Sequence, residues 1–553
     1  MRVLAISVTE RGRLLATRLP FEHAHGDAGA TVRARWRQVD AFVLLLATGA
    51  AVRIVAPLLE DKRLDPAVVC LDEAGRFAVA LCGGHLGGAN TLARQVASLV
   101  GAEPVVTTAT DATGTCPLDA LPGFLASGDV AGVTAAILDG RPPAVDNVVS
   151  WPLPSTLPVG AGPERLVITD RVVENGRGVA VLRPPTLVAG IGTSTGAPPE
   201  EVAALVTTSL AEAGLDAACL AEVATIDRRA DEPAIHALGR PLRVFPAETL
   251  RSVSVPTPSS TVQSAVGTPS VAEAAALLAA GPGAELVVTK RTSAHAALAV
   301  ARRQRPRGYL AVVGLGPGDR RHRTPAAETA VRHCDIVVGY GPYVDQCEDL
   351  IGPHHEIVRS PIGSEEDRGR LAVEEARVGR RVALVCSGDA GVYAMASVAL
   401  EQAAASDGAA WPFDLDIVPG ITAATAAAAA LGAPLGHDHA AISLSDLLTP
   451  WATIESRLEA VAGADMVLSL YNPRSRGRPW QLGAARRILL AYRAPSTPVG
   501  VATDLARGGE RVRLTTLAEL DVEDVGMTTC LIVGSSATHV ANGRMVTPRG
   551  YRR

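Results

Sequence analysis

Short runs of β-branched residues alternate with alanine- and leucine-rich stretches along almost the whole chain. Strand-like runs such as Phe42–Leu46 and Val68–Leu71 precede helix-like segments such as the one through Leu92, Val96 and Leu99. This alternation is typical of α/β domains with largely parallel sheets. Because 553 residues far exceed the roughly 100–200 of a single domain, we predict a multidomain α/β protein whose domains have separate cores.

Changes in local composition predict the domain boundaries. Prolines accumulate after Leu121 and the hydrophobic periodicity weakens, which indicates an irregular middle region. The segment Arg302–Gly308, RRQRPRG, is charged and broken by proline, and a strand-like run follows it at once. The predicted divisions are a small α/β domain at 1–120, the irregular region at 121–186, a second small α/β domain at 187–303 and a last α/β domain at 309–553.

Charge and composition argue against several classes of partner. The chain carries 52 basic and 57 acidic residues and only 3% aromatic residues, so we predict no surface for nucleic acid. The longest apolar stretches, 41–52 and 420–436, are shorter than the roughly 18 residues of a membrane-spanning helix. The apolar run Leu4–Val8 is too short for a secretion signal, whose apolar region has about 7–15 residues, so we expect a cytoplasmic protein. The cysteines include no CxxC pair, and no metal site is predicted.

Glycine-bearing turns follow three strand-like runs of the last domain. They are GLGPGD (Gly314–Asp319), SGDAGVY (Ser387–Tyr393) and PGIT (Pro419–Thr422). Ligands of open α/β sheets bind beyond the carboxyl ends of strands, so repeated turns of this kind predict a cleft, although glycine by itself also permits tight turns. GLGPGD is not a dinucleotide fingerprint, because Asp319 stands at the place of the third glycine and Pro317 stiffens the loop.

These turns belong to a longer series of motifs that resembles a known family. GLGPGD followed by Thr324, SGDAGVYAMA, VPGITA, PLGHDHAAISLSDLLTPW (434–451) and LSLYNPRSRGR (468–478) resemble the tetrapyrrole methyltransferases of cobalamin biosynthesis. The last two stretches resemble the precorrin-3B C-17 methyltransferase branch. The resemblance implies a two-lobed α/β fold that uses S-adenosylmethionine to methylate a precorrin at C-17 and contracts the ring, converting precorrin-3B to precorrin-4.

The same resemblance implies a set of cofactor contacts. Asp389 is expected to cap the helix that follows it, and Ala390 stands where the family usually has proline, which costs loop stiffness but no functional group. The implied cofactor-binding residues are Ser387, Gly388, Asp389, Val392, Thr422, Ala423, Tyr471 and Asn472.

Ring contraction and substrate charge point to further residues. Contraction expels C-20 and needs a proton removed from a C-20 hydroxyl, for which Asp319 and His437 are our catalytic candidates, with Asp438 and His439 as titratable neighbours. Either histidine is equally consistent with an ordinary hydrogen-bonded loop residue. The polycarboxylate tetrapyrrole needs local positive charge, unless the arginines beside the turns are simply solvated. The substrate-binding candidates are Arg320, Arg321 and Arg323 with His322, and Arg474 and Arg476 with Arg478.

Residues 1–303 resemble the cobalt-precorrin-5A hydrolase family. The resemblance is carried by LLATGAAVRIVAPLL (45–59), ALCGGHLGGANTLARQVA (80–97), TTATDATG (107–114), GTPSVAEAAALLAAG (267–281) and LVVTKRTSAHAALAVARR (286–303). It implies opening of a δ-lactone on the contracted ring with release of acetaldehyde. His85, flanked by glycines that permit close approach, is the candidate general base; a glycine-rich packing loop is the plain alternative.

Other residues of the front half are candidates for its pockets. The turn GIGTSTG (190–196) lacks the cysteine and the basic residues usual in the family, because it reads Thr193, Ser194 and Thr195, and this puts the catalytic competence of the front half in question. The residues assigned to the His85 pocket are Thr48, Arg53, Asn90, Thr107 and Asp111, and those assigned to a second pocket are Glu222, Asp231, Glu232 and Lys290.

Several alternatives stay open. The methyltransferase could act on cobalt-factor III of the oxygen-independent route, which a hydrolase-like partner favours, and the front half could be a non-catalytic corrinoid-binding module. The spacing at Gly190–Gly196 also invites a nicotinamide dehydrogenase, although the expected acidic residue about 20 positions on is missing. A homodimer through the methyltransferase domain is a further arrangement that fits the resemblance.

Overall fold

A computed structural model describes residues 1–61, 64–84, 87–113, 115, 117–154, 156–174, 176–405 and 411–551. It divides into two compact units. The first contains residues 1–308, 352–356 and 376–380, and the second contains 309–351, 357–375 and 381–553. Among the described residues, every helix is either too short or too polar to cross a bilayer.

The first unit opens with a largely parallel sheet of order β2-β1-β3-β4-β5-β6. Neighbouring strands from β2 to β4 are parallel, whereas β5 runs antiparallel to β4. Helices cover both faces, so β3 and β4 are buried at every position. The elements are β1 (Val3–Ser7), α1 (Glu10–Ala16), β2 (Glu22–His25), α2 (Ala28–Arg35), β3 (Ala41–Leu45), α3 (Thr48–Val55), β4 (Ala67–Leu71), β5 (Phe77–Cys82), α4 (Ala89–Val100), β6 (Glu103–Val105) and α5 (Ala109–Thr113).

The interval 121–186 contains a small sheet of order β7-β10-β9-β8, and this differs from the irregular region that its prolines suggest. Its strands are short, and Pro143 opens a strand that lies at the edge of the sheet, where proline is tolerated. A core that includes Trp151, Leu166 and Leu182 supports it. The elements are β7 (Leu125–Gly128), α6 (Val130–Leu138), β8 (Pro143–Asn147), β9 (Gly162–Ile168) and β10 (Val179–Arg183).

A third sheet completes the first unit, with the order β13-β12-β11-β15-β14. Its central strand continues through Gly190 and Gly192, where the sequence predicts a turn. A Cβ at Gly190 would lie 1.9 Å from the Ala272 carbonyl oxygen, so this glycine allows a helix to approach the sheet. The elements are β11 (Leu187–Thr193), α7 (Pro199–Glu212), β12 (Leu220–Ile226), α8 (Pro233–His236), β13 (Leu242–Phe245), α9 (Ala247–Arg251), α10 (Ser260–Val266), α11 (Ala272–Ala280), β14 (Glu285–Thr292) and β15 (Ala296–Arg302).

The second unit begins with a sheet of order β18-β17-β19-β16-β20. Strands β16 and β17 run parallel to β19, so their carboxyl ends share one edge. The elements are β16 (Gly308–Gly314), α12 (Pro325–Arg332), β17 (Ile336–Tyr340), α13 (Gly341–Asp345), β18 (Glu356–Ser360), α14 (Glu365–Arg377), β19 (Arg381–Cys386), α15 (Met395–Ala404) and β20 (Phe413–Val418).

Its second sheet is mixed and has the order β22-β23-β26-β24-β25, with a small sheet β21-β28-β27 beside it. The two main sheets of this unit are the two lobes that the sequence predicts, and the multidomain α/β class is confirmed. The elements are α16 (Ala423–Leu431), β21 (Gly432–Ala433), β22 (His439–Ser443), α17 (Trp451–Gly463), β23 (Val467–Tyr471), α18 (Gln481–Tyr492), β24 (Pro498–Thr503), β25 (Arg511–Thr516), β26 (Thr529–Val533), β27 (His539–Ala541) and β28 (Arg544–Val546).

Candidate functional site

The glycine-bearing turns after β16, β19 and β20 meet at one edge of the first sheet of the second unit. Gly316 and Gly388 exchange backbone hydrogen bonds, with N–O distances of 3.0 and 2.8 Å. A Cβ at Gly420 would lie 2.2 Å from the Gly388 oxygen, and a Cβ at Gly314 would lie 2.9 Å from the Gly420 nitrogen. Because the neighbouring atoms are backbone, only glycine allows this approach. The predicted turns therefore form one continuous wall.

Asp389 ties two of these turns together. One carboxylate oxygen accepts from the Gly391 N–H at 2.8 Å, and the other accepts from the Gly420 N–H at 2.9 Å. The following helix, α15, starts only at Met395 and has no side-chain cap. The expectation that Asp389 caps this helix is therefore wrong, because the intervening turn places the carboxylate against the neighbouring loop instead.

Tyr471 brings the second lobe to the same place. It ends strand β23, and its hydroxyl lies 2.7 Å from the Thr422 hydroxyl and accepts from the Ala424 N–H at 2.9 Å. Burial raises the pKa of the Tyr471 phenol, which keeps it neutral. The Tyr393 ring lies 5.1 Å from the Tyr471 ring, centroid to centroid. Two aromatic rings thus stand beside the start of α16.

These loops enclose a cavity of about 200 Å³ in the second unit. Small-molecule pockets usually measure about 300–1,000 Å³, so this cavity can enclose part of a ligand and leave the rest facing outward. All the residues predicted to bind the cofactor line it, which places residues 85 positions apart in one site (Ser387 to Asn472). That they bind a cofactor stays a prediction. The lining consists of Pro317, Tyr343, Ser387, Gly388, Asp389, Val392, Tyr393, Thr422, Ala423, Tyr471, Asn472, Asp504, Leu505, Arg507, Met527, Thr528, Thr529 and Cys530.

Arg507 and Asp504 are cavity residues that the sequence analysis misses. The Arg507 guanidinium donates to the Pro317 carbonyl and to the Ser387 hydroxyl, each at 2.9 Å. Asp504 and Ala506 have φ values of 50° and 56°, a left-handed conformation that is costly outside glycine and is common at functional sites. The signal in the sequence is a charged pair in a glycine-bearing turn, TDLARGGE, directly after strand β24.

Asp319, a predicted catalytic residue, is bound to its own neighbour. Its carboxylate accepts from the Arg321 backbone N–H at 2.8 Å and from the Arg321 guanidinium at 2.8 and 3.0 Å. The hydrogen bonds from Arg321 lower the pKa of Asp319 to about 2. A carboxylate held ionised in this way is a weak proton acceptor at neutral pH, which counts against the predicted role.

His437, the other predicted catalytic residue of the last domain, lies away from the cavity. It precedes β22, whose far end, Ser443, accepts from the Asn472 amide at 3.0 Å. The strand from His439 to Ser443 spans roughly 13 Å at about 3.3 Å per residue. Since β22 runs parallel to β23, His437 lies beyond the edge of the sheet opposite to Tyr471. The structure does not bring His437 to the cavity.

The predicted substrate-binding arginines divide into engaged and exposed groups. The Arg323 side chain is 2% exposed and donates to Asp349 at 3.1 Å and to the Gln346 carbonyl at 2.5 Å, so it holds the fold together. Arg474 forms an ion pair with Glu523. Arg321 pairs with Asp319, as described above. Arg320 and Arg476 are exposed, and among the described residues no hydrogen bond or ion pair engages their side chains.

His85, the candidate base of the front half, lies outside the described residues, as does the Asp111 side chain. Thr48 donates to the Cys70 sulfur at 3.7 Å, and Arg53 donates to the Gly49 carbonyl at 3.0 Å. The buried Asn90 amide donates to Thr108 at 2.9 Å. Thr48 and Asn90 thus make contacts to distant parts of the chain, 22 and 18 positions away, whereas the contact of Arg53 lies within its own helix.

Two of the residues assigned to the second predicted pocket of the front half, Glu222 and Glu232, make contacts within the first unit. Glu222 is buried between Arg243 and Arg303, at 2.9 and 2.5 Å. Glu232, only 6% exposed, accepts from the Gly196 N–H at 3.2 Å. A carboxylate therefore occupies the position where the turn 190–196 would offer an N–H group to an anion, which disfavours nucleotide phosphate binding there.

Family models match separate parts of the chain. They are described as cobalamin synthesis G N-terminal at residues 30–111, cobalamin synthesis G C-terminus at residues 187–301, and tetrapyrrole (corrin/porphyrin) methylases at residues 309–521.

Curated relatives match a little less than half of the chain. The precorrin-3B C(17)-methyltransferase of Sinorhizobium sp. is 42% identical over 250 residues, which are 44% of this chain and 97% of the relative. The cobalt-factor III methyltransferase of Priestia megaterium is 41% identical over 251 residues, which are 45% of this chain and 46% of the relative. The chain thus spans about half the length of that second relative. A solved structure, that of the methyltransferase CobJ, is 38% identical, covers 44% of this chain and 100% of its own, and has a TM-score of 0.42.

Proposed function

The chain belongs to the tetrapyrrole (corrin/porphyrin) methylases, and we propose that residues 309–553 transfer a methyl group from S-adenosylmethionine to C-17 of a precorrin. The reaction would convert precorrin-3B to precorrin-4, with contraction of the macrocycle. One observation carries this proposal: the residues that the resemblance assigns to the cofactor line a single cavity.

The groups around the cavity suit this cofactor chemically. Its methionine part carries an ammonium and a carboxylate. The Asp504 carboxylate complements the ammonium and the Arg507 guanidinium complements the carboxylate, and both side chains come from one loop. Backbone and apolar atoms of Val392, Ala423 and Leu505 suit the adenosine part. The paired rings of Tyr393 and Tyr471 offer π faces to a cationic sulfur.

Methyl transfer needs alignment more than it needs a protein nucleophile. Bound S-adenosylmethionine supplies an activated methyl carbon, so the chain's own residues have to position two partners and exclude water. Asp389 fixes the relative position of two turns, and Tyr471 joins the second lobe to Thr422. Both contacts hold parts of the cavity wall in a fixed relative position.

Cofactor binding is tested by titrating the full-length protein with S-adenosylhomocysteine in a calorimeter. We expect one saturable site that is weakened about tenfold or more in Arg507→Met and in Asp504→Asn, because each variant removes a charge-assisted contact. The matched control is Arg487→Met, an exposed arginine on α18, for which the affinity should stay within about twofold. Absence of uptake, or equal affinity in all four proteins, would contradict the proposal.

The metal content of the substrate is tested separately. The two relatives described above are named for precorrin-3B and for cobalt-factor III and are about equally similar to this chain, at 42% and 41% identity. Transfer of a labelled methyl group should be measured with each of these substrates in parallel. Product from neither substrate, in protein that binds S-adenosylhomocysteine, would leave a methyltransferase with a different acceptor.

For the front half we propose hydrolysis of cobalt-precorrin-5A, with opening of the δ-lactone and release of acetaldehyde. The matches to the cobalamin synthesis G models support this assignment. The test is acetaldehyde release measured with a coupled alcohol dehydrogenase, with His85→Ala as the variant expected to lose it. Binding of the corrinoid without acetaldehyde would instead favour the non-catalytic binding module.

A further inference from the structure

Two adjacent leucines stand almost fully in solvent on the loop that joins β22 to α17. Leu447 is 79% exposed and Leu448 is 95% exposed. Single exposed leucines are common, but two neighbours that project from one loop form an apolar surface of the kind that marks a binding site. Burial within the described chain does not explain them.

The base of this loop is held rigidly by buried polar groups. The side chain of Gln481, 1% exposed, donates to both carboxylate oxygens of Asp446 at 3.0 and 3.1 Å. Arg478, 6% exposed, donates to the carbonyl oxygens of Leu444 and Asn472 at 3.4 and 2.9 Å. A loop with a fixed base and an apolar tip presents its leucines in one place, which lowers the entropy cost of binding.

The same contacts place the loop beside the cavity. Asn472 lines the cavity and donates to Ser443, the residue that ends β22. Arg478 also contacts the sulfur of Met527, a half-exposed cavity residue, at 3.7 Å. Tyr393, also half exposed, belongs to the cavity wall. The loop that carries the leucines is therefore attached through Ser443 and Leu444 to the part of the cavity wall formed by Asn472 and Met527.

We propose that Leu447 and Leu448 form the platform for the apolar ring face of the tetrapyrrole acceptor. This inference rests on the proposed function, since it takes the acceptor to be a macrocycle with an apolar ring face and a rim of carboxylates. Arg476, exposed on the loop that follows Tyr471, supplies a positive charge at the same edge of the sheet for one of those carboxylates. An apolar face and a cation complement that acceptor, and the base of the leucine loop is hydrogen-bonded to the wall of the cavity in which the methyl donor is proposed to bind.

The experiment uses uroporphyrin, a polycarboxylate tetrapyrrole, as the probe and full-length protein throughout. In Leu448→Ser we expect the dissociation constant for uroporphyrin, measured by tryptophan quenching, to rise about tenfold, and to rise further in Leu447→Ser with Leu448→Ser. Leu448→Glu should weaken binding more than Leu448→Lys, because the probe is an anion. Leu400→Ser, on the exposed side of α15, is the matched control and should bind like the wild type.

Affinity for S-adenosylhomocysteine separates this inference from the proposed function. It should be equal in the wild type and all leucine variants, which also shows that the cavity is intact. The wild type could fail to bind S-adenosylhomocysteine while the leucine variants still bind uroporphyrin more weakly than the wild type. That result would contradict the proposed methyl transfer and support the role of the leucines as a platform. Equal uroporphyrin affinity in all proteins overturns the platform. Dissociation of an oligomer in the variants, with uroporphyrin affinity unchanged, also overturns it and identifies the leucines as a subunit contact.

Discussion

At the scale of single residues, the ion pair with Arg321 determines the pH range in which the Asp319 carboxylate titrates. It is 28% exposed as a side chain and is paired with Arg321, which lowers its pKa to about 2. The pair therefore contributes its stability in full above the ordinary aspartate pKa of 3.8, and the contribution is lost as the pH falls from 3.8 towards 2. In the neutral range Asp319 has no change of charge to contribute to a pH profile.

We therefore predict that Asp319→Asn leaves the shape of the pH–rate profile between about pH 6 and 8 unchanged. The substitution should lower the rate modestly at every pH, because the turn Gly314–Asp319 loses the contact to Arg321. The measurement is kcat/KM for methyl transfer across this range. A profile whose acidic limb disappears in the variant would restore Asp319 as the proton acceptor.

A second residue-scale prediction concerns a histidine pair in the first unit. The fully buried Ser7 hydroxyl lies 2.9 Å from the His23 Nε2 atom and 2.9 Å from the His25 Nδ1 atom. Burial, reinforced by His25 and Arg13, lowers the pKa of His23 below its ordinary value of 6.5. The unfolded chain thus binds this proton more tightly, so the contribution of His23 to stability is complete above about pH 6.5 and is lost as the pH falls through the lowered pKa.

His23→Gln, which keeps a hydrogen-bonding group but does not titrate, should flatten this dependence. We expect the thermal midpoint of the wild type to fall more than that of the variant between pH 7.5 and pH 5.5, about one unit on either side of 6.5. His539→Gln, at an exposed histidine of β27, serves as the control and should follow the wild type. Parallel slopes for all three proteins would show that His23 is not the titrating group.

At the scale of elements, apolar periodicity predicts the buried strands well. The strand-like runs Phe42–Leu46 and Val68–Leu71 agree with β3 (Ala41–Leu45) and β4 (Ala67–Leu71) within one residue at each end, and the helix-like segment through Leu92, Val96 and Leu99 is α4. The small middle sheet escapes prediction because its strands are short and interrupted by prolines. The sequence also does not predict Arg507 as a cavity residue. Its partner Pro317 lies 190 positions earlier, and the local sequence pattern gives no information about a contact over that separation.

The wall of glycine turns makes an element-scale prediction. In Gly420→Ala the new methyl group would meet the Gly388 oxygen at 2.2 Å and the Gly314 oxygen at 2.7 Å, and backbone atoms cannot move aside cheaply. We expect a loss of about 1–3 kcal/mol in stability and a loss of S-adenosylhomocysteine binding. The control, Gly483→Ala, adds a methyl with nothing within 4 Å in helix α18 and should be neutral or stabilising by up to about 1 kcal/mol. Normal binding in Gly420→Ala would mean that the turns can separate without harm.

At the scale of the whole molecule, every residue that lines the cavity belongs to the second unit. The Sinorhizobium relative is matched over 97% of its length by only 44% of this chain, so it corresponds to less than half of the chain. The two units are nevertheless not two uninterrupted stretches of sequence, because the short segments 352–356 and 376–380 group with the first unit. Gly379, in the second of these segments, packs closely against Pro306. A Cβ added at Gly379 would lie 2.4 Å from the Pro306 carbonyl oxygen.

This arrangement predicts different effects on binding and on stability when the front half is removed. A fragment of residues 309–553 should bind S-adenosylhomocysteine with the affinity of the full chain, because it keeps the whole cavity. It should also melt at a lower temperature than a fragment of residues 303–553, which retains Pro306 opposite Gly379. Calorimetric titration and thermal unfolding of both fragments measure the two effects independently. Loss of binding in the longer, more stable fragment would mean that the first unit contributes to the site, and the assignment of methyl transfer to residues 309–553 alone would have to be abandoned.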